Sequence, residues 1–181
     1  MDPAVVYTAR FGIATLFVSA AISKARNYSI FRATLLDYQL VPKQLLGFVA
    51  ALVLTIEFLV VVSVFSGAFA PIGMQIAAVL LLMYGAAIGA NLLRGRRDID
   101  CGCTGPAVRQ SLTGWLVIRN IALSMIAIVG IAIPLERVMA VSDYVLIAGS
   151  LGAGLVIYAA ANQLMVSLPR LDSLDALMET N

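Results

Sequence analysis

The sequence predicts an all-α integral membrane protein: a bundle of about five transmembrane helices, four in a core with one beside them, plus a short interfacial amphipathic helix. Three observations carry that prediction. Of 181 residues, 61% are hydrophobic and 12% are charged, about half the charge of a soluble domain. Mean hydropathy is +0.98. The apolar residues fall into five runs, each long enough to cross about 30 Å of hydrocarbon at about 1.5 Å per residue. Lipid leaves no partner for an open backbone group, so such runs must be helical.

The first run extends from about Ala4 to Ser23. Its start, Met1-Asp2-Pro3, lacks a basic region, and no clean cleavage signal follows, so it is expected to remain as a helix. The stretch from about 28 to 41 sets Ile30, Phe31, Leu35, Leu36 and Tyr38 among Arg32, Asp37 and Gln39. That near-helical spacing reads as an amphipathic helix lying in the interface, ended by Pro42. The second span runs from about Leu45 to Ser66 and holds Glu57; the third runs from Pro71 to Leu93. Small residues recur in the third, at Gly85, Ala86, Ala87, Gly89 and Ala90, and are expected to serve close helix packing. A polar segment, 94–111, leads to the fourth span, Leu112 to Pro134. The fifth, Ser142 to Leu168, carries Gly149, Gly152, Ala153 and Gly154. The tail beyond Pro169 reads as a short surface helix or a frayed end. There is no internal repeat and no low-complexity linker, so residues 1–181 are expected to form a single domain.

Charge narrows the function classes. Net charge is +2 and the basic residues lie mostly in loops, which gives no footprint for nucleic acid. The chain has no histidine, the commonest metal ligand and the usual general base. With five spans, the first and third connections and the C-terminus share one side. That side holds Lys24, Arg26, Arg32, Lys43, Arg94, Arg96, Arg97, Arg109 and Arg170, against Arg137 on the other. The positive-inside rule places the segment 94–111 on the cytoplasmic side.

That segment contains the chain's two cysteines, Cys101 and Cys103, separated by Gly102. A disulfide between them closes too small a loop to restrict the unfolded chain, so it is a poor staple. Bridging across one residue strains the bond and makes it easier to reduce. Arg94, Arg96 and Arg97 favour thiolate, while Asp98 and Asp100 oppose them. Three readings fit: a redox dithiol, a Cu(I) site on two thiolates assisted by a methionine such as Met83, and an inert structural pair.

Ionisable residues inside spans are costly unless paired, and Glu57, Arg10 and Arg119 are three of them. Glu57 is expected to pair with Arg119 or Arg10. Either Arg119 assists a thiolate or a bound quinone while Glu57 orients it or relays protons, or the pair fixes helix register. Lys24 is expected to snorkel to the interface, and Asn91 and Asn120 to form interhelical hydrogen bonds.

Several stretches together resemble one family. They are Phe17-Val-Ser-Ala-Ala-Ile-Ser-Lys24, Phe31 through Leu40-Val41-Pro42, Glu57 in the second span, Asn91-Leu-Leu-Arg-Gly95 leading into Cys101-Gly102-Cys103, and Arg119-Asn120. Their order and spacing, over about residues 9 to 130, resemble the MauE/DoxX group of redox-associated membrane proteins. Thr104 departs from the phenylalanine usual there. The resemblance implies a bacterial inner-membrane protein that helps mature the methylamine dehydrogenase small subunit, its client, with a thioredoxin-like, MauD-like partner. It implies a relay in which Cys101 and Cys103 cycle between dithiol and disulfide, supported by Arg119, Glu57, Arg94 and Asn120. No resident metal is implied. The helix layout is also similar to quinone-coupled thiol oxidases of the vitamin K epoxide reductase and DsbB type, which implies a quinone near Cys101, Cys103 and Arg119. Two further roles stay open: a scaffold that recruits the thioredoxin-like partner, and a Cu(I) carrier. A periplasmic client also opposes the orientation that the loop charges predict.

Overall fold

The computed structural model describes residues 1–96, 99 and 112–179, apart from the side chains of 166 and 168–179. Every regular element among the described residues is helical. Among the described residues, five helices are long and apolar enough to cross a membrane. The elements are α1 (Pro3–Arg26), α2 (Tyr28–Tyr38), a 3-10 turn (Lys43–Leu45), α3 (Leu46–Phe65), α4 (Ala70–Leu93), α5 (Gly114–Ile131) and α6 (Val141–Glu179).

Local chemistry sets several of the helix ends. Asp2 caps α1, accepting from the Ala4 amide at 2.9 Å, and Pro3 supplies a first residue with no orphan N–H. The interfacial helix α2 stops three residues short of the expected 41, because Gln39 adopts a left-handed conformation at φ 50°. Pro42 then opens the 3-10 turn into α3. At the end of α4, Gly95 takes φ 74°. Its amide donates to Leu92 O at 3.0 Å, and the Arg96 amide reaches Asn91 O at 3.0 Å. This is a Schellman cap, which satisfies two orphan carbonyls and favours a residue without Cβ. Pro169 does not end α6, whose backbone continues to Glu179.

The core lies among α1, α3, α4 and α5, where Ile13, Phe17, Val60, Met74, Ala77 and Ala127 are buried together. The α4–α5 contact is the most extensive, and α6 packs chiefly against α1. The expected four-helix core with one helix beside it is therefore present. Close approach is achieved at one of the expected glycines, Gly85, and at two that were not singled out, Gly73 and Gly130. A Cβ on Gly73 would collide with the side chain of Ser63, and one on Gly130 with the end of Met74. At Gly85 it would stand 3.4 Å from Asn120 Cβ. At Gly89, Gly149, Gly152 and Gly154 it would meet nothing within 4 Å. Glycine in an apolar run thus does not by itself mark a packed face.

The N-terminus is tied to the α5–α6 connection. The Met1 amine donates to Ile133 O at 3.2 Å, and the Leu135 amide to Met1 O at 2.9 Å. Arg137 bridges Asp143 at 2.7 Å and Asp2 at 3.1 Å. These hydrogen bonds, led by that to Asp143, hold the Arg137 guanidinium above its ordinary pKa.

Candidate functional site

The expected site residues divide into those the structure describes and those it does not. Cys101 and Cys103 lie outside the described residues, as do Asp98, Asp100, Arg97 and Arg109. Arg94 is the exposed C-cap of α4, its amide bonded to Ala90 O at 3.2 Å. Glu57, Arg119 and Asn120 are buried within the bundle.

Glu57 does not pair with Arg119 or Arg10. It is fully buried and forms an ion pair with Lys24, the residue expected to snorkel outward. The reason is electrostatic: a carboxylate held in a low-dielectric interior costs more unpaired than the lysine gains at the interface. Tyr84 completes the group. Its hydroxyl lies 2.7 Å from Glu57 Oε1 and 3.2 Å from Lys24 Nζ. The ammonium also stands 4.7 Å from the Tyr84 ring and 5.2 Å from that of Phe31. Four elements therefore converge. Lys24 comes from the last turn of α1, Phe31 from α2, Glu57 from the middle of α3 and Tyr84 from α4. Phe31 makes the interfacial helix a cover over the buried charges, since its ring offers the cation a favourable face. Glu57 Oε2 is buried and has no hydrogen-bond partner among the described residues, so the carboxylate keeps one proton-accepting oxygen.

Each arginine has other work. Arg10 reaches across to α5 and donates to Gly130 O at 2.9 Å and Ala132 O at 3.1 Å. It thereby caps carbonyls at the C-terminus of α5, where cations are favoured. Arg119 donates to Asn162 Oδ1 at 3.1 Å, and its guanidinium stands 5.9 Å from the Tyr158 ring. It links α5 to α6. The amides of Asn91 and Asn120 bond within their own helices, to Ala87 O at 3.0 Å and Leu116 O at 2.7 Å. Ser124 instead bonds across from α5 to α4, donating to Ala78 O at 3.3 Å.

Sequence reasoning missed Tyr84, Phe31, Tyr158 and Asn162, and misread Lys24. A signal existed for Tyr84. A tyrosine inside an apolar span brings a hydroxyl that needs a partner at depth, and Glu57 was the acidic residue available there.

The sequence model of one family, described as methylamine utilisation protein MauE, matches residues 2–133, which takes in Lys24, Glu57, Tyr84, both cysteines and Arg119. A protein of Paracoccus denitrificans called methylamine utilization protein MauE is 34% identical over 128 residues, covering 71% of this chain and 69% of the relative. Its namesake in Methylophilus methylotrophus is 31% identical over 136 residues, covering 75% and 72%. That of Methylorubrum extorquens is 32% identical over 163 residues, covering 88% and 87%. No solved structure matches the chain significantly.

Proposed function

The chain belongs to the MauE family of methylamine utilisation proteins, and on that premise we propose that it is a thiol–disulfide redox protein of the bacterial inner membrane. It assists disulfide formation in the methylamine dehydrogenase small subunit through a thioredoxin-like partner. The observation that carries this reading is the pair Cys101 and Cys103, the only cysteines of the chain, with one glycine between them.

The chemistry is an exchange. A partner thiolate attacks one sulfur of the Cys101–Cys103 disulfide, forming a mixed disulfide and releasing the other cysteine as thiolate. The partner's second thiolate then attacks the mixed disulfide. The partner leaves oxidised, and this chain holds two reduced sulfurs. A strained one-residue bridge suits an oxidant that is readily reduced. The five spans supply the membrane anchorage, and Arg94 adds positive charge near the segment in sequence, which favours thiolate.

The test is thiol state and phenotype together. Cys101→Ser and Cys103→Ser should each abolish maturation of the dehydrogenase while leaving the protein in the membrane and still bound to its partner. Retained maturation in either variant overturns the relay; lost partner binding makes the cysteines part of a scaffold. A membrane-impermeant maleimide, applied to intact cells with and without prior reduction, reads the orientation. Labelling only after reduction means an oxidised pair facing outward. Labelling only in opened cells, with an engineered cysteine at Ser29 behaving alike, means an inward pair and removes direct oxidation of a periplasmic partner.

A further inference from the structure

A cleft of about 800 Å³ runs between α1, α5 and α6. It exists because α6 packs chiefly against α1 and stands off from the remaining core. Most of its wall is apolar, with Ile13 and Leu16 from α1, Leu123 and Ile126 from α5, and Leu151 and Leu155 from α6. One end differs. There the lining residues are Trp115, Arg119 and Tyr158. We propose that this cleft binds an isoprenoid quinone, with the ring at Arg119 and Trp115 and the tail lying along the apolar walls toward the lipid.

Three properties favour that ligand class. The volume falls within the roughly 300–1,000 Å³ of small-molecule sites, and the balance of apolar wall with few polar groups is typical of them. The polar end is rich in donors. A guanidinium and an indole N–H can donate but never accept, and the indole nitrogen is buried without an acceptor among the described residues. Quinone carbonyls are acceptors, and the flat ring suits the faces of Trp115 and Tyr158. Depth separates a quinone from a phospholipid. Arg119 lies five residues into α5, about 8 Å along the helix axis. A lipid phosphate would have to leave the interface to meet it, whereas an uncharged carbonyl pays no such penalty.

The use of the ligand rests on the thiol chemistry proposed above; its binding does not. Two thiols that close to a disulfide release two electrons and two protons. A quinone takes up both pairs and becomes the quinol, so the ligand class matches the electron and proton count without remainder.

Trp115 is the only tryptophan in the chain, which makes the cleft report on itself. Full-length protein in phosphatidylcholine–phosphatidylglycerol nanodiscs would be titrated with decylubiquinone while Trp115 fluorescence is followed. Saturable quenching is expected. Arg119→Gln should weaken it about tenfold, as the loss of a charge-assisted hydrogen bond implies. Gly154→Leu should abolish it, because Gly154 lines the cleft, a Cβ there meets nothing within 4 Å, and the rest of the side chain would occupy the ligand's space. Should Arg119→Gln fail to fold, the Gly154 variant carries the test alone. The double variant Cys101→Ser/Cys103→Ser should still bind, so a failed titration would remove the quinone and leave the thiol relay standing. Quenching that rises in proportion to added quinone, unchanged by Gly154→Leu, overturns the proposal. So does quenching by brominated acyl chains that quinone cannot displace, which would make the cleft a lipid site.

Discussion

The Tyr84 hydroxyl and the Lys24 ammonium share one oxygen of Glu57, with the tyrosine at 2.7 Å. A buried charge pair in the hydrocarbon zone is thus braced by a neutral donor from a third helix, and Phe31 of α2 closes over the cation. The two charges cancel, which is the condition for keeping them at that depth.

Breaking that pair from one side is expected to be worse than removing it. Lys24→Met or Glu57→Leu alone should destabilise the protein by about 3–5 kcal/mol, since each leaves an uncompensated buried charge. The double replacement should regain most of that loss. Thermal unfolding in a mild detergent, followed by retention of a monodisperse gel-filtration peak, measures it. A double variant no better than the singles would mean that the group acts through more than charge cancellation.

Tyr84→Phe isolates the hydroxyl. It should cost about 1–2 kcal/mol, as expected for a hydrogen bond to a charged group. The ring would remain over Lys24, so Tyr84→Leu should cost more by the lost cation–π contact. The difference between the two variants in the same melting assay checks the ring's share.

The glycines should rank by what surrounds them. Gly73→Ala is expected to destabilise by about 1–3 kcal/mol, because its Cβ meets the stem of Ser63. Gly130→Ala should be milder, since the obstacle is the flexible end of Met74. Gly149→Ala and Gly152→Ala should be neutral or slightly stabilising, with open space around them and better helix propensity. Equal effects at all four positions would contradict the packing described.

At Gly95 the constraint is backbone conformation. With φ at 74°, Gly95→Ala should cost about 1 kcal/mol or somewhat more, and Gly95→Asn less, because asparagine tolerates the left-handed region. Faster amide exchange at Arg96, whose amide closes the cap on Asn91 O, is the direct readout.

Replacing Arg10 should loosen the far end of α5. Arg10→Met leaves the carbonyls of Gly130 and Ala132 without that donor, at about 1–3 kcal/mol. Hydrogen exchange should accelerate in the last turn of α5 and not in its first.

Much of the architecture was legible because lipid imposes a length. A run of apolar residues from Pro71 to Leu93 or from Leu45 to Ser66 has few alternatives to a spanning helix, and the structure places α4 and α3 there. Depth was legible too, since Glu57, Arg10 and Arg119 sit well inside their runs. Direction around the helix axis was not. Helices that are apolar on every side carry no moment to show which face meets which neighbour. Glu57 was therefore matched to arginines at similar depth, although Lys24 reaches it from the end of α1. The same blindness hid Arg10's role as a cap and the packing at Gly73 and Gly130, although Gly85 does lie against α5 as expected. The cysteine pair was the plainest feature of the sequence, yet its segment lies outside the described residues, so its chemistry still rests on residue identity and family.

The reach of Arg10 to Gly130, 120 residues later in the chain, also sets an order on biosynthesis. While α1 is in the bilayer and α5 is still inside the ribosome, the guanidinium has none of its final carbonyl partners. The nascent protein must park that charge elsewhere, in the insertion machinery or a hydrated lateral gate, until the fourth span arrives. A chain stalled before Gly130 should therefore cross-link from position 10 to the translocon, and one stalled well beyond it should not.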